Sequence, residues 1–465
     1  VILVALHACV ALGAGMTIGF VARNAEQLLV SPRYACAYLG VPSAFLVLSL
    51  AALFLRRLRV DLALVVVPAG IAFWAAEAWL AATQDSANNT GKRIEMAAVA
   101  AAGGGRAMDR RVQTTVLAEL RAAGVQAYPT FSPTTFLLAD HGKGEGEWRP
   151  PMSSAGRAVL PLGGVPRARS VYCNEGGEWL VFDADRHGFN NPDAAWDEPR
   201  RRLAILGDSF AQGACVPMGR AAPDILRARF PGTINLGVGG TGPLLQLAVL
   251  KEYGPRLAPE EVLWFFYEGN DLHVNLHLER QFAFLRRYLE PSFSQGLESL
   301  APEVSAFLRA YIDERMDRAI ERDTAPVVRR TSVVDMLKLT RLRESIGLTS
   351  CPVASQDFAL LARIYAEARR STEAWGGRLT VVYLPSSEGE CDLFDPTVAR
   401  DNWLRRGVRD AAAAAGVPLL DFGARIAARA DVPSLFYYPG SHFNEKGYAL
   451  LAEVVAQSLD QGRSR

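Results

Sequence analysis

The 465-residue chain has almost no net charge, +1 from 50 Lys and Arg against 49 Asp and Glu. It lacks the basic excess that nucleic-acid binding needs, so no nucleic-acid partner is expected. It has only six cysteines, and no CxxC pair or His/Cys cluster that suggests a metal site. No metal and no cofactor are expected. Internal repeats and extended low-complexity tracts are also missing, which excludes a repeat array.

Charge is absent from one place in particular. Val1 to Ala22 carries none, and two further apolar runs follow at about Ala37 to Leu55 and Leu62 to Ala82. Each is close to the roughly 20 residues that cross a bilayer as a helix. Three in succession predict three transmembrane helices over 1–82, rather than a core helix or a signal peptide. Trp74 and Trp79 stand near the end of the third run, where interfacial aromatics collect, and Glu77 is expected at that interface. Arg56, Arg57 and Arg59 outnumber Arg23 and Arg33 of the preceding loop. The positive-inside rule then places the Arg56–Arg59 loop in the cytoplasm and residues 83–465 on the outer side. In an exported domain, Cys173, Cys215, Cys351 and Cys391 allow two disulfides with three pairings. Cys173–Cys215 with Cys351–Cys391 is the favoured set, against four free thiols.

What is present beyond residue 82 is an ordered alternation. Residues 83–108 read as a linker, polar at first and then flexible at Gly103-Gly104-Gly105. Residues 109–200 read as an accessory α+β region: a helix over Val112–Ala123, an irregular stretch over 128–166, and short strands at Ser170–Cys173 and Trp179–Phe182 around a Glu175-Gly176-Gly177 turn. His187-Gly188-Phe189-Asn190-Asn191-Pro192 reads as a turn and an edge strand before the main sheet. From Leu203 strands and helices alternate. Strands are expected at Leu203–Leu206, Thr233–Leu236, Val262–Phe266, Leu379–Leu384 and Val417–Leu420. Helices are expected at Ala222–Arg229, Leu244–Tyr253, Phe358–Trp375, Asn402–Ala415 and Glu445–Leu459. That pattern predicts an α/β domain over 201–465, a parallel sheet with helices on both faces. A helical insertion interrupts it at about 272–348. Its charges include Arg280, Arg286, Arg287, Glu290, Arg309, Asp313, Glu314, Arg315, Asp317 and Arg318. It reads as solvated edge helices, or as a lid over a site.

Four motifs fall where these strands end. Gly207-Asp208-Ser209-Phe210 follows the first strand, and Asn235 to Gly242 is glycine-rich after the second. Gly269-Asn270-Asp271 follows the third, and Ser441-His442-Phe443-Asn444 precedes the last helix. Ligands of open α/β sheets bind beyond the carboxyl ends of the strands, so these motifs share one neighbourhood. A serine hydroxyl becomes a useful nucleophile when a base takes its proton, and imidazole suits that task near neutral pH. An oxyanion then needs fixed donors, which backbone N–H groups beside a glycine and an Asn amide supply.

The set, in this order, resembles the SGNH (GDSL-like) hydrolase superfamily over about 200–460, of a membrane-anchored bacterial envelope type. The resemblance implies a three-layer α/β domain with Ser209 as nucleophile and His442 as base. It implies an oxyanion hole from Ser209 N–H, Gly240 N–H and the Asn270 amide. Asp208, Asp271, Asn444 and Gly447 are expected to shape turns. One departure stands out. The family carries an Asp three residues before its His, and here that position is Pro439. The nearest carboxylate upstream is Asp431. Either a backbone carbonyl holds the imidazole of a Ser–His dyad, or an acid comes from elsewhere. Asp421 is the first candidate, although helix capping is its simpler role.

The expected function is a serine esterase acting on O-acyl esters of envelope carbohydrate or of lipid, in a bacterial inner membrane with its catalytic domain periplasmic. An O-acyltransferase would use the same acyl-enzyme and would need a partner membrane protein. A non-catalytic carbohydrate-binding or scaffold protein on the same fold is the reading of another class.

Overall fold

The computed structural model describes residues 2–23, 35–83, 95–99, 101–103, 105, 107–139, 148–200, 202–323, 339–345, 355–386 and 403–463. Arg33, most of the 83–108 linker, Cys351 and Cys391 lie outside them. The chain divides into two compact units.

The first unit holds residues 1–91 together with 327–355. Ile2–Arg23, Cys36–Phe54 and Arg59–Ala81 are helices long and apolar enough to cross a membrane. Their outward faces carry Leu12, Met16, Phe20, Val47, Phe54, Leu64, Ile71, Trp74 and Trp79, all exposed. His7, Ser49 and Glu77 among them are turned inward. His7 Nε2 lies 3.2 Å from the carbonyl of Arg59. Arg59 itself closes the helix before it, donating to the carbonyls of Ala52 and Leu53 at 2.9 and 2.8 Å. A cation at a helix C-terminus satisfies carbonyls that have no intrahelical partner. Glu77 is fully buried. Its carboxylate accepts the backbone N–H groups of Arg341 and Leu342 at 3.0 and 2.8 Å, at the start of the helix Thr340–Ser345. Arg343 stays beside it by donating to the Tyr38 hydroxyl at 2.9 Å. The far part of the insertion therefore folds with the apolar helices.

The second unit holds 92–326 and 356–465. Its sheet has the order β10-β9-β8-β6-β7, every pair parallel. The strands are β6 Leu203–Gly207, β7 Thr233–Asn235, β8 Glu261–Tyr267, β9 Arg378–Leu384 and β10 Leu419–Asp421. Every residue of β6 and β8 is buried, which explains why these strands read as continuous apolar runs. Parallel pairing requires crossovers, supplied here by Ala222–Arg229, Pro243–Leu257, Ser355–Glu373 and Trp403–Ala414, before the closing helix Glu445–Arg463.

The accessory segment forms a second sheet. β1 Ala127–Pro129 runs parallel to β4 Arg169–Val171, which pairs antiparallel with β5 Val181–Asp183. The stretch expected to be irregular holds the helix Thr134–Ala139 and a hairpin, β2 Met152–Ser154 with β3 Arg157–Val159. Its turn, Ala155-Gly156, has φ of 48° and 76°, the left-handed pair that a two-residue hairpin needs. Among the described residues no edge strand follows His187–Pro192 before β6. Instead the Asn191 side chain does the bonding of one: its Oδ1 accepts from Asn235 N–H at 2.8 Å and its Nδ2 donates to Asn235 O at 2.7 Å.

The near part of the insertion is a brace rather than a solvated edge. Leu285, Tyr288 and Leu308 are fully buried. The helix Ala301–Asp323 meets the accessory segment through Arg309, which donates to Gln126 Oε1 at 2.9 Å and Pro166 O at 2.8 Å, and through Asp313, which pairs with Arg121 at 2.9 Å. The Gln295 side chain clasps Leu160, accepting from its N–H at 2.6 Å and donating to its carbonyl at 3.2 Å.

Candidate active site

β6 ends at Gly207 with φ +145°, and a Cβ there would lie 2.6 Å from the Phe265 carbonyl. Only glycine lets the strand turn this sharply against β8. Asp208 then caps the short helix Ser209–Gln212, its carboxylate accepting Phe210 N–H at 2.9 Å. Burial pushes the Asp208 carboxyl up, against the Phe210 N–H and the neighbouring His442, which pull it down. Phe210 stacks on Tyr267 with centroids 4.0 Å apart and lies 5.0 Å from the His442 ring, walling one side of the imidazole.

Ser209 Oγ and His442 Nε2 are 2.8 Å apart. His442 Nδ1 is 3.0 Å from Glu175 Oε2, and the His442 backbone N–H donates to the same oxygen at 2.8 Å. These partners assign the tautomer: Nδ1 carries the proton and Nε2 accepts from the serine. Asp421 is not at this site. Its Oδ1 accepts Ala424 N–H at 2.9 Å and its Oδ2 pairs with Arg405 at 2.6 Å, so it caps the helix Phe422–Ile426. Both of its oxygens are engaged there, and the imidazole is met by Glu175 instead.

The glycine-rich loop lies next to Ser209. Gly240 has φ +71°, a conformation that favours glycine. Three bonds steady the loop and the Gln212 it rests on. Gly239 N–H donates to Gln212 Oε1 at 2.8 Å, the Asn190 side chain donates to Gln212 O at 3.0 Å, and Thr134 Oγ1 donates to Gly240 O at 2.6 Å. Past it, Glu279 accepts the N–H groups of Gly242, Leu244 and Leu245 at the start of the next helix. Burial pushes that carboxyl up to about 8. Asn270 stands just past the end of β8, close enough to Asp208 to help pull its carboxyl down. Asp271 is fully buried and accepts Tyr267 N–H at 2.7 Å and Gln246 Nε2 at 3.1 Å, fixing the turn that presents Asn270. Burial and the nearby Asp208 hold its carboxyl well above the usual range. Asn444 ties the His442 loop together: Nδ2 donates to Ser434 O and Phe436 O at 2.8 and 2.9 Å, and Oδ1 accepts Lys446 and Gly447 N–H.

Two residues of the accessory segment stand at the site, and no motif marked them. Glu175 is one. Tyr172 is the other: its hydroxyl lies 2.3 Å from where a Cβ on Gly239 would be, and burial, with Asp208 and Glu175 nearby, pushes that hydroxyl up. The segment is joined to the Ser209 loop by the Cys173–Cys215 disulfide, Cα–Cα 5.2 Å. Glu175, His442 and Cys215 also form a group of potential metal-ligand atoms. With Cys215 sulfur in the disulfide, no thiolate is available there, so the cluster is not a metal site in this state.

Comparison with curated proteins gave no match. Among solved structures the chain is similar to a lipase/acylhydrolase from Enterococcus faecalis, at 15% identity over 57% of this chain and 96% of that one, TM-score 0.31. It is similar to a GDSL-like lipase from Bacteroides thetaiotaomicron, at 13% identity over 56% and 89%, TM-score 0.31. It is also similar to a two-domain esterase active on acetylated mannans, at 12% identity over 59% of this chain and 52% of that one, TM-score 0.30. The sequence model of the GDSL-like lipase/acylhydrolase family matches residues 205–450, more than half of the chain. With that match, spanning β6 to the closing helix, the chain belongs to the GDSL-like lipase/acylhydrolase family, whose members hydrolyse esters.

Proposed function

We propose that this protein is a membrane-anchored serine esterase that cleaves O-acyl esters of envelope carbohydrate through an acyl-enzyme at Ser209. The observation that carries the reading is the 2.8 Å approach of Ser209 Oγ to His442 Nε2 at the carboxyl edge of a parallel sheet. In the first half-reaction Nε2 takes the serine proton as Oγ attacks the acyl carbonyl. The oxyanion is met by the N–H groups of Ser209 and Gly240 and by the Asn270 amide, all held before substrate arrives. The tetrahedral adduct collapses, the C–O bond to the sugar breaks, and His442 returns its proton to the leaving hydroxyl. Water then attacks the acyl-enzyme with His442 again as base, releasing the acid and regenerating Ser209.

The three apolar helices support membrane anchoring. The arginines at 56, 57 and 59 support a cytoplasmic position for the loop between the second and third helices, and an outer position for the catalytic unit. The Cys173–Cys215 disulfide supports the same placement, since such bonds persist in oxidising compartments. A cleft of about 130 Å³ opens beside Cys215, lined by Trp179 and Met218 among others, with neither Ser209 nor His442 on its wall.

Fluorophosphonate labelling of the full chain in detergent tests the reading. The probe is expected to label the wild type and to be blocked in Ser209→Ala. Wild-type protein should also release acetate from p-nitrophenyl acetate and from one member of a panel of acetylated glycans. Folded wild type that neither labels nor turns over any ester would sink the proposal.

A further inference from the structure

The accessory region holds one group that the family motifs do not account for. Glu175 lies 267 positions before His442 in the chain, outside the matched 205–450 segment, yet one of its oxygens takes both the Nδ1 and the backbone N–H of that histidine. Its side chain is 12% exposed. A carboxylate brought so far out of water costs free energy unless it is paired, and here the imidazole pairs it. Other groups around the ring are poorly placed for this task. Asp208 turns an oxygen to Phe210 N–H, Cys215 sulfur is 3.7 Å from Nδ1 and has no proton to exchange, and Tyr172 and Tyr437 carry hydroxyls rather than charge.

The loop that carries Glu175 is pinned to the catalytic domain from both ends. Cys173, two residues before it, is bonded to Cys215, six residues after the nucleophile. Gly176, one residue after it, lies flat on the Tyr437 ring, where a Cβ would approach to 2.7 Å, and the Tyr437 hydroxyl donates to Cys215 O at 2.8 Å. Within the accessory region, Asn174 Nδ2 donates to Asp109 O at 3.0 Å and Asp109 N–H donates to Gly177 O at 2.7 Å.

We infer that the accessory region completes the active site. Glu175 is the positioning carboxylate for His442 in place of the acid lost at Pro439, and the Cys173–Cys215 disulfide holds it there. The inference rests on the reading of Ser209 as the nucleophile. Glu175 keeps the proton on Nδ1, aims Nε2 at Ser209 and stabilises the imidazolium that forms during attack. The catalytic set is thus oxidation-dependent. A dithiol such as dithiothreitol reduces the disulfide to two thiols, giving up two electrons and two protons and closing to its own disulfide. Glu175 is then tethered to the serine loop only by non-covalent contacts.

The test uses the full chain in detergent, with p-nitrophenyl acetate kinetics and fluorophosphonate labelling rates. In E175Q, kcat is expected to fall about 10²- to 10⁴-fold with KM little changed. The acidic limb of its kcat/KM profile should move to lower pH, because the imidazolium loses its adjacent negative charge. Glu175→Asp should restore part of the rate and return the limb toward the wild-type position. Wild type treated with dithiothreitol, its two thiols confirmed by mass mapping, should lose activity and regain it on reoxidation. That arm needs no variant to fold. A wild type labelled at Ser209, with E175Q matching it in rate and pH profile, overturns the role of Glu175 alone. Fully reduced protein with unchanged kcat overturns the disulfide clamp. Failure of the wild type to label at all counts instead against the esterase reading.

Discussion

The turn that carries Ser209 is set within five residues: β6 delivers it, Gly207 bends it and Asp208 caps it. The loop that carries Glu175 meets the same imidazole; locally it is closed by Gly177 N–H to Asn174 O at 3.0 Å and Leu180 N–H to Cys173 O at 2.7 Å, but its place against the histidine is set from a distance. A disulfide, the face of Tyr437 and two bonds to Asp109 hold it in place. The first kind of geometry is written in consecutive residues and survives as a motif. The second kind depends on distant parts of the chain arriving together, and it leaves only a cysteine and a glycine pair as traces.

Four changes would break or sharpen this contrast. The largest effect belongs to the motif side: Asn270→Ala removes the proposed oxyanion donor and should lower kcat about 10²- to 10³-fold with KM little altered, read from ester turnover. Next comes the loop side. Gly176→Ala drives a methyl into the Tyr437 ring while leaving Glu175 in the chain, so kcat should fall about tenfold for a displaced carboxylate, at a stability cost of about 1–3 kcal/mol by thermal melting. A smaller effect separates the two carboxylates considered for the histidine. Asp421→Ala should cost about 1 kcal/mol for the lost cap and leave kcat unchanged; a loss of activity comparable to that of E175Q would reinstate Asp421.

The smallest effect concerns the segment joining the two sides. His187 is packed between Trp196 and Tyr253, and burial, with Arg256 and Arg186 nearby, pulls its imidazole down from 6.5 to about 4. The unfolded chain therefore takes up this proton first as the pH falls. The contribution of a neutral His187 is present above pH 6.5 and is lost as pH falls through about 4. Asp193 opposes this shift, and Asp185, pushed up to about 6 by burial, titrates in the opposite sense. Melting curves of His187→Phe should lose less stability than wild type between pH 6.5 and 4. An identical acid slope in both proteins would remove the claim.

The strands, their parallel order and the positions of Ser209, Gly240, Asn270 and His442 at strand ends are legible because each depends on short-range pattern. Apolar runs bounded by glycine mark β6 and β8, and an amphipathic period marks the helices between them. Glu175 reads only as the first residue of a turn. The signal that would have found it is the Cys173–Cys215 pair, which binds a residue two places before Glu175 to one six places after Ser209. Joining that expectation to Pro439 would have named the acid. The β2–β3 hairpin was hidden by its Gly and Pro surroundings, with only Ala155-Gly156 to announce it. The docking of Thr340–Ser345 was hidden more deeply. Glu77 there binds backbone N–H groups, and backbone donors leave no mark on a side-chain pattern.

That docking changes how a water-soluble version of the enzyme would have to be cut. Deleting only residues 1–91 removes Glu77 and Tyr38 and leaves 327–355 behind, stripped of the groups that cap and hold it. The cleaner excision takes both pieces, so that the cut follows the folding units rather than the order of the gene.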